Sequence, residues 1–208
     1  MTLDAVTIDA YGTLVTLRDP VPALQRALAA HGVERTERDV RIAFRAEVEY
    51  YVVRSHEGRD EATLALLRRD CAKVFLEAAG ASLDAGEFAP SFVGALEFDE
   101  LPGAADACRA LAAAGLRLAI VSNWDVGLHD HLAALGLTPL LDAVVTSAEA
   151  GAPKPAPQVF ELALARLGAT ADRAVHVGDS DADAEGARVA GLRFELAPLA
   201  DAARRILA

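Results

Sequence analysis

The chain has 208 residues, 53% of them hydrophobic and only 5% aromatic, and carries a net charge of −11. That length and composition describe a globular chain with one good core, built mainly from Ala, Leu and Val, and room for a smaller module. An isoelectric point near 4.9 excludes a nucleic-acid footprint, which must be basic, and an anionic substrate would need a locally positive site made by a Lys, a metal ion or helix N-termini.

In chain order, Leu3–Ile8 is a short apolar, β-branched run and reads as a buried strand. It delivers Asp9, followed by Ala10, Tyr11, a turn at Gly12, and Thr13. Residues 16–98 show helical patterns near Pro22–Ala30, Arg38–Val53, Glu61–Ala79 and Ala85–Leu96, with no strand. The second half alternates. A helix over Ala104–Ala114 stops at Gly115, a strand covers Leu116–Val121, and a helix near Val126–Leu135 ends at Gly136. A strand over Asp142–Thr146 leads to a helix over Pro155–Leu167, with Phe160, Leu164 and Leu167 on one face. A strand over Ala174–Val177, a helix from Ser180 to Gly191 and a strand over Leu192–Leu196 close the series. The expected fold class is α/β: a Rossmann-like, mostly parallel sheet with helices on both faces, formed by 1–15 and 99–208. Residues 16–98 are expected to form an inserted helical cap able to close over the sheet edge.

No uncharged apolar run reaches the roughly 18 residues of a membrane span. Asp4 and Asp9 stand where a signal peptide would be apolar, so the expectation is a cytoplasmic protein, monomeric or homodimeric, acting on a small molecule. Cys71 and Cys108 lack CxxC spacing and read as small buried hydrophobes.

Four polar groups converge at the C-terminal edge of the expected sheet, where open α/β folds place their sites. They are Asp9; Ser122 with Asn123; Lys154 between two prolines; and Asp179 with Asp183. Each has an ordinary alternative as a turn residue, an N-cap, a solvated charge or an acidic first helical turn. Electrostatics bears on the choice. Two carboxylates about 4 Å apart repel by roughly 4 kcal/mol at an effective dielectric near 20, whereas a helix dipole returns about 0.3–1 kcal/mol per acid. Convergence of Asp9 and Asp179 therefore calls for Lys154 and for a hard divalent cation, Mg²⁺. A carboxylate nucleophile, hydroxyl and amide donors, a fixed Lys and a metal are what phosphoryl transfer uses.

These residues resemble the four motifs of the haloacid dehalogenase superfamily. Asp9–Thr13 is similar to the first, Ser122-Asn123 to the second, Lys154-Pro155 to the third, and Gly178–Asp183 with Glu185-Gly186-Ala187 to the fourth. The resemblance implies that Asp9 is a nucleophile forming an aspartyl intermediate. Asp9, Asp179 and the Tyr11 carbonyl would ligate Mg²⁺, with Asp183 behind the metal's water shell. Ser122 and Lys154 would hold the transferring group, assisted by Thr13 and Asn123. It also implies a helical cap between the first two motifs.

Tyr11 departs from the phosphatase pattern, which has a second Asp there as general acid and base. Asp-Ala-Tyr-Gly-Thr instead resembles the metal-free L-2-haloacid dehalogenase branch, which attacks carbon and pairs a cap Arg with the substrate carboxylate. Arg45 lies near that Arg's place, strict counting falls on Phe44, and Phe160 stands where the branch has Tyr. The fourth motif leans to a Mg²⁺ phosphatase, since a metal-free site gains nothing from Asp179 beside Asp9. The leading expectation is a Mg²⁺-dependent phosphohydrolase on a small phosphorylated metabolite. The alternatives are a 2-haloacid dehalogenase and a weakly active or non-catalytic binding protein. Tyr11, Trp124 and Arg45 are the candidate pocket residues; His56, Tyr50 and Tyr51 are candidate acids from the cap. His176, mid-strand, reads as a packed core residue facing away from the edge, and His129 with His131 does not form a metal pair.

Overall fold

The computed structural model describes residues Thr2–Ala208, which divide into two units. The first runs to Thr16 and resumes over Asp99–Ala208; the second is Leu17–Phe98. In the first unit, strands β1 (Ala5–Ile8), β4 (Arg117–Ser122), β5 (Ala143–Thr146), β6 (Ala174–Gly178) and β7 (Arg193–Leu196) form one sheet in the order β5-β4-β1-β6-β7. All four strand pairs are parallel. Every residue of β1 and β6 is buried, as expected of central strands covered on both faces.

Helices α5 (Ala104–Ala113), α6 (Leu128–Ala134), the single turn α7 (Ser147–Ala150), α8 (Gln158–Leu167) and α9 (Asp181–Ala190) follow the strands, and α10 (Leu199–Leu207) ends the chain. Phe160, Leu164 and Leu167 of α8 are buried together, as their spacing requires, against Val121, Val145 and Ala187. The chain order places β1 between β4 and β6, so the crossover direction reverses beside it. Open α/β sheets place their sites outside the carboxyl ends of the strands at such a reversal, here those of β4, β1 and β6. The structure has the mostly parallel α/β architecture expected from the sequence.

The second unit holds α1 (Val21–Ala30), α2 (Glu37–Val52), α3 (Glu61–Ala78) and α4 (Ala85–Gly94). Thr36, Asp60 and Asp84 cap the last three by accepting from backbone N–H groups, which fixes where each begins. Its core gathers Leu24, Leu28, Val40 and Ala43 around Phe75, Phe88 and Phe92, with Phe75 and Phe92 ring centroids 5.2 Å apart. Three features differ from the sequence expectation. Strands β2 (Val15–Leu17) and β3 (Phe98–Glu100) pair as a ribbon where the chain leaves the sheet unit and returns. Each is three residues long, too short to show a period. Helices α7 and α10 also form: α7 is a single capped turn, and α10 starts behind Pro198 with no side-chain cap to announce it. Among the described residues no helix is long and apolar enough to cross a membrane.

Candidate active site

Asp9 follows β1 directly, its N–H held by the Val177 carbonyl at 2.8 Å. The register pairs Ile8 with Ile120 on one side and Val177 on the other, so Asp9 lies beside the ends of β4 and β6. Ser122 Oγ donates to Asp9 Oδ1 at 3.2 Å. Lys154 Nζ donates to the same oxygen at 2.5 Å, to Asp183 Oδ1 at 2.6 Å and to the Val121 carbonyl at 3.0 Å. All three ammonium protons therefore have acceptors, and the Lys154 side chain is 3% exposed. Desolvation opposes charge on Lys154, but the two carboxylates outweigh it and its pKa is raised. Asn123 brackets the lysine's backbone: its Oδ1 accepts from Lys154 N at 2.6 Å and its Nδ2 donates to Lys154 O at 3.1 Å. Asn123 thus sets where Lys154 leaves its loop.

Asp183 owes its place to the start of α9. Ser180 Oγ accepts from Asp183 N, and Ser180 N donates back to Asp183 Oδ2 at 3.1 Å, a reciprocal cap. The Ser180 hydroxyl also meets Asp183 Oδ2, at 2.5 Å. Oδ1 takes Lys154 and the ring of His176, whose Nε2 lies 2.9 Å away. Both oxygens of this buried carboxylate are committed to protein donors. Burial opposes its ionisation, but the His176 hydrogen bond and the Lys154 charge prevail and hold it well below the usual carboxylate range. Gly178 makes the approach possible, because a Cβ there would sit 2.4 Å from Asp183 Cγ.

Asp179 completes the cluster from an exposed position. One carboxylate oxygen from each of Asp9, Asp179 and Asp183 lies within 4.8 Å of the others. Burial first, then the Asp9 and Asp183 charges, push the Asp179 pKa up. Gly12, at φ +82°, lets the turn after β1 close against that carboxylate; a Cβ would stand 2.1 Å from Asp179 Oδ2. Lys154 supplies one positive charge against three carboxylates. The donors are hard oxygens and the charge is uncompensated, so the residues fit a hard divalent cation. Asp9 and Asp179 are the carboxylates free enough of other duties to hold it.

The remaining expected residues divide. Thr13, 2% exposed, buries its Oγ1 without a hydrogen-bond partner in the turn that leaves Asp9. Tyr11 is 52% exposed. Trp124 is buried and its carbonyl accepts from Ser147 Oγ at 3.2 Å, so packing and a backbone clamp account for it. Arg45 belongs to α2, where its side chain is 83% exposed and pairs with Glu49. Tyr50 and Tyr51 pack against the helical unit's core, the Tyr50 ring under the Arg54 guanidinium, and His56 Nδ1 is buried without a partner. Cys71 and Cys108 are buried thiols.

His176 is fully buried in the sheet unit, as a core histidine should be, with Phe160 edge-on at 4.9 Å. It does not, however, stand apart from the edge cluster. The sequence gives its strand parity but not Asp183, which folds back over β6 from the next helix to meet it.

The sequence model of a family described as "haloacid dehalogenase-like hydrolase" matches residues 3–191. Haloacid dehalogenase-like hydrolase domain-containing protein 3 of Mus musculus is 33% identical over 201 residues, 90% of this chain and 78% of that protein. A ribulose-1,5-bisphosphate 5-phosphatase of Halopiger xanaduensis is 41% identical over 102 residues, 48% of this chain and 43% of that protein. Among solved structures, an L-2-haloacid dehalogenase from Xanthobacter autotrophicus is similar at 28% identity and a TM-score of 0.69, covering 93% of this chain and 76% of that one. With its four strand ends, its lysine-bridged carboxylates and these similarities, the chain belongs to the haloacid dehalogenase-like hydrolases.

Proposed function

We propose that this hydrolase is a Mg²⁺-dependent phosphatase of a small phosphorylated metabolite, with Asp9 as nucleophile. The observation that carries the reading is Asp179, drawn in beside Asp9 and Asp183 with only Lys154 to offset three carboxylates. A carbon–halogen site has no use for that repulsion, whereas a metal-binding site requires it. The likeness to a phosphatase across 48% of the chain supports the same reading.

Both contacts on Asp9 fall on Oδ1, which leaves Oδ2 for attack. Its bond to phosphorus forms as the P–O bond to the leaving group breaks; the electron pair goes to the leaving oxygen, which takes its proton from solvent water. Water then attacks phosphorus, inorganic phosphate departs and Asp9 is regenerated. Lys154 and Ser122 hold Asp9 and offset charge on the transferring oxygens, and the unpartnered Thr13 hydroxyl is a further donor. Mg²⁺, held by Asp9, Asp179 and the Tyr11 carbonyl, would supply charge neutralisation. Tyr11 replaces the usual acid, and a phenol is a poor substitute for a carboxyl group in that role. Phosphates with good leaving groups, which need little protonation, are therefore the favoured class. The helical unit serves as the cap, and the setting is cytoplasmic.

A second reading, a metal-independent 2-haloacid dehalogenase, is favoured by Tyr11 itself and by the similar dehalogenase structure. Phosphate release from acetyl phosphate and p-nitrophenyl phosphate, in Mg²⁺ and in EDTA, separates the two when run beside halide release from 2-halo acids. Phosphate release in Mg²⁺ alone, lost by at least about 10³-fold in Asp9→Asn, is the expected outcome. Halide release in EDTA without phosphate release would replace it with the second reading.

A further inference from the structure

We propose that Thr7 and His176 are a positioning pair for the reacting centre: they lock the Asp183 carboxylate and, through it, the Lys154 ammonium against Asp9. The inference rests on Asp9, Lys154 and Asp183 being that centre, as argued above.

The parallel register sets Thr7 directly opposite His176, so the two side chains share one face of the sheet. Both are fully buried. Thr7 Oγ1 and His176 Nδ1 are 2.9 Å apart, and His176 Nε2 and Asp183 Oδ1 are 2.9 Å apart. The proton positions follow from what each partner can do. An ionised carboxylate only accepts, so Nε2 carries a hydrogen and donates it to Asp183. Burial, supported by the nearby Lys154 charge, keeps the ring neutral, so Nδ1 is bare and accepts from the Thr7 hydroxyl. The accept-only Asp183 carboxylate fixes the tautomer, and the Thr7 hydroxyl supports it by donating to the Nδ1 left bare, as partners behind metal-ligating histidines do.

The ring has little freedom to respond otherwise. Phe160 meets it edge-on at 4.9 Å and Phe194 lies at 6.3 Å. Asp183 Oδ1 is shared between His176 and Lys154, so a shift of the carboxylate moves one of the lysine's three acceptors. A displacement of the ammonium by about 1 Å changes what it offers to Asp9 and to the transferring group, which is enough to reduce turnover by about 10²-fold.

The test uses the full chain and two readouts. The first needs no turnover: ¹⁵N NMR of the His176 ring, and hydrogen exchange of the Lys154 ammonium, in the metal-free protein. The wild type should show Nε2–H with Nδ1 bare and a slowly exchanging ammonium. Thr7→Val, nearly isosteric, should speed that exchange at least tenfold, and Thr7→Ser should restore it. The second is steady-state hydrolysis of acetyl phosphate, where Thr7→Val should lower kcat by about 10- to 100-fold with KM within about twofold, and Thr7→Ser should recover it. His176→Gln, which keeps an N–H donor, should lie between wild type and His176→Leu. An Nδ1–H tautomer in the wild type, or an unchanged ammonium in Thr7→Val, overturns the proposal whether or not the enzyme turns over acetyl phosphate. Absence of phosphate release with the NMR pattern intact would instead count against the phosphatase reading alone.

Discussion

The two units bury charge-bearing groups in opposite ways. In the sheet unit Lys154, Asp9 and Asp183 are buried together, with the ammonium 2.5–2.6 Å from both carboxylates, and those contacts hold the charges of Lys154 and Asp183. In the helical unit Glu47 is 4% exposed on the same α2 stripe as Val40 and Ala43, facing the core. Desolvation pushes its pKa up to about 7, against only a hydrogen bond with the Cys71 thiol. A buried carboxylate with a cation beside it remains a reagent, whereas one without becomes a neutral packing group that answers to pH. This difference, more than the number of acidic residues, marks where the chemistry is.

Removing the compensation should have the largest effect. Lys154→Met leaves Asp9 and Asp183 facing each other with no cation between them. It should cost about 3–5 kcal/mol in chemical denaturation at pH 7, with turnover lost. A loss below about 1 kcal/mol would mean the three groups do not depend on one another.

The helical unit should respond to pH instead. Below the ordinary Glu value of 4.5, Glu47 is protonated whether the chain is folded or not; between there and about 7 the unfolded chain gives up its proton first. Stability is therefore lost as pH rises through that window, by about 3 kcal/mol in all. Glu47→Gln removes the dependence. The stability difference between variant and wild type should move by about 3 kcal/mol in the variant's favour from pH 4.5 to pH 8. A constant difference would show that Glu47 is not neutralised by its surroundings.

A smaller effect is expected at the bracket. Asn123→Ala deletes both hydrogen bonds to the Lys154 backbone and should cost about 1–3 kcal/mol. It should also lower turnover more than it raises KM, since it loosens Lys154 without touching its ammonium.

The sequence was legible where local signals repeat. Val/Ile-rich runs ending in polar residues and glycine-stopped helices revealed the alternating half, and with it the edge that gathers Asp9, Ser122, Lys154, Asp179 and Asp183. What it withheld depends on pairing or on short lengths. The β2–β3 ribbon joins residues some eighty apart through three-residue strands, and α10 lacks a side-chain cap. His176 looked like an inert core residue because strand parity speaks only of faces. Its role needs the Thr7 register and the return of Asp183 over Gly178, neither of which is local. Asn123 was expected to assist at the transferring group; that its amide also brackets the Lys154 backbone could not be read from the sequence. Arg45, a pocket candidate through its likeness in position to the cap Arg of the dehalogenase branch, pairs with Glu49 one turn along its own helix.

The central claim is that Asp179 beside Asp9 exists to bind a divalent cation. Titrating Mg²⁺ into the wild type and into Asp179→Asn by calorimetry tests it without any substrate. The account expects one site in the wild type, weakened at least tenfold in Asp179→Asn while the fold is kept. Equal binding by both proteins, or none by the wild type, would contradict it.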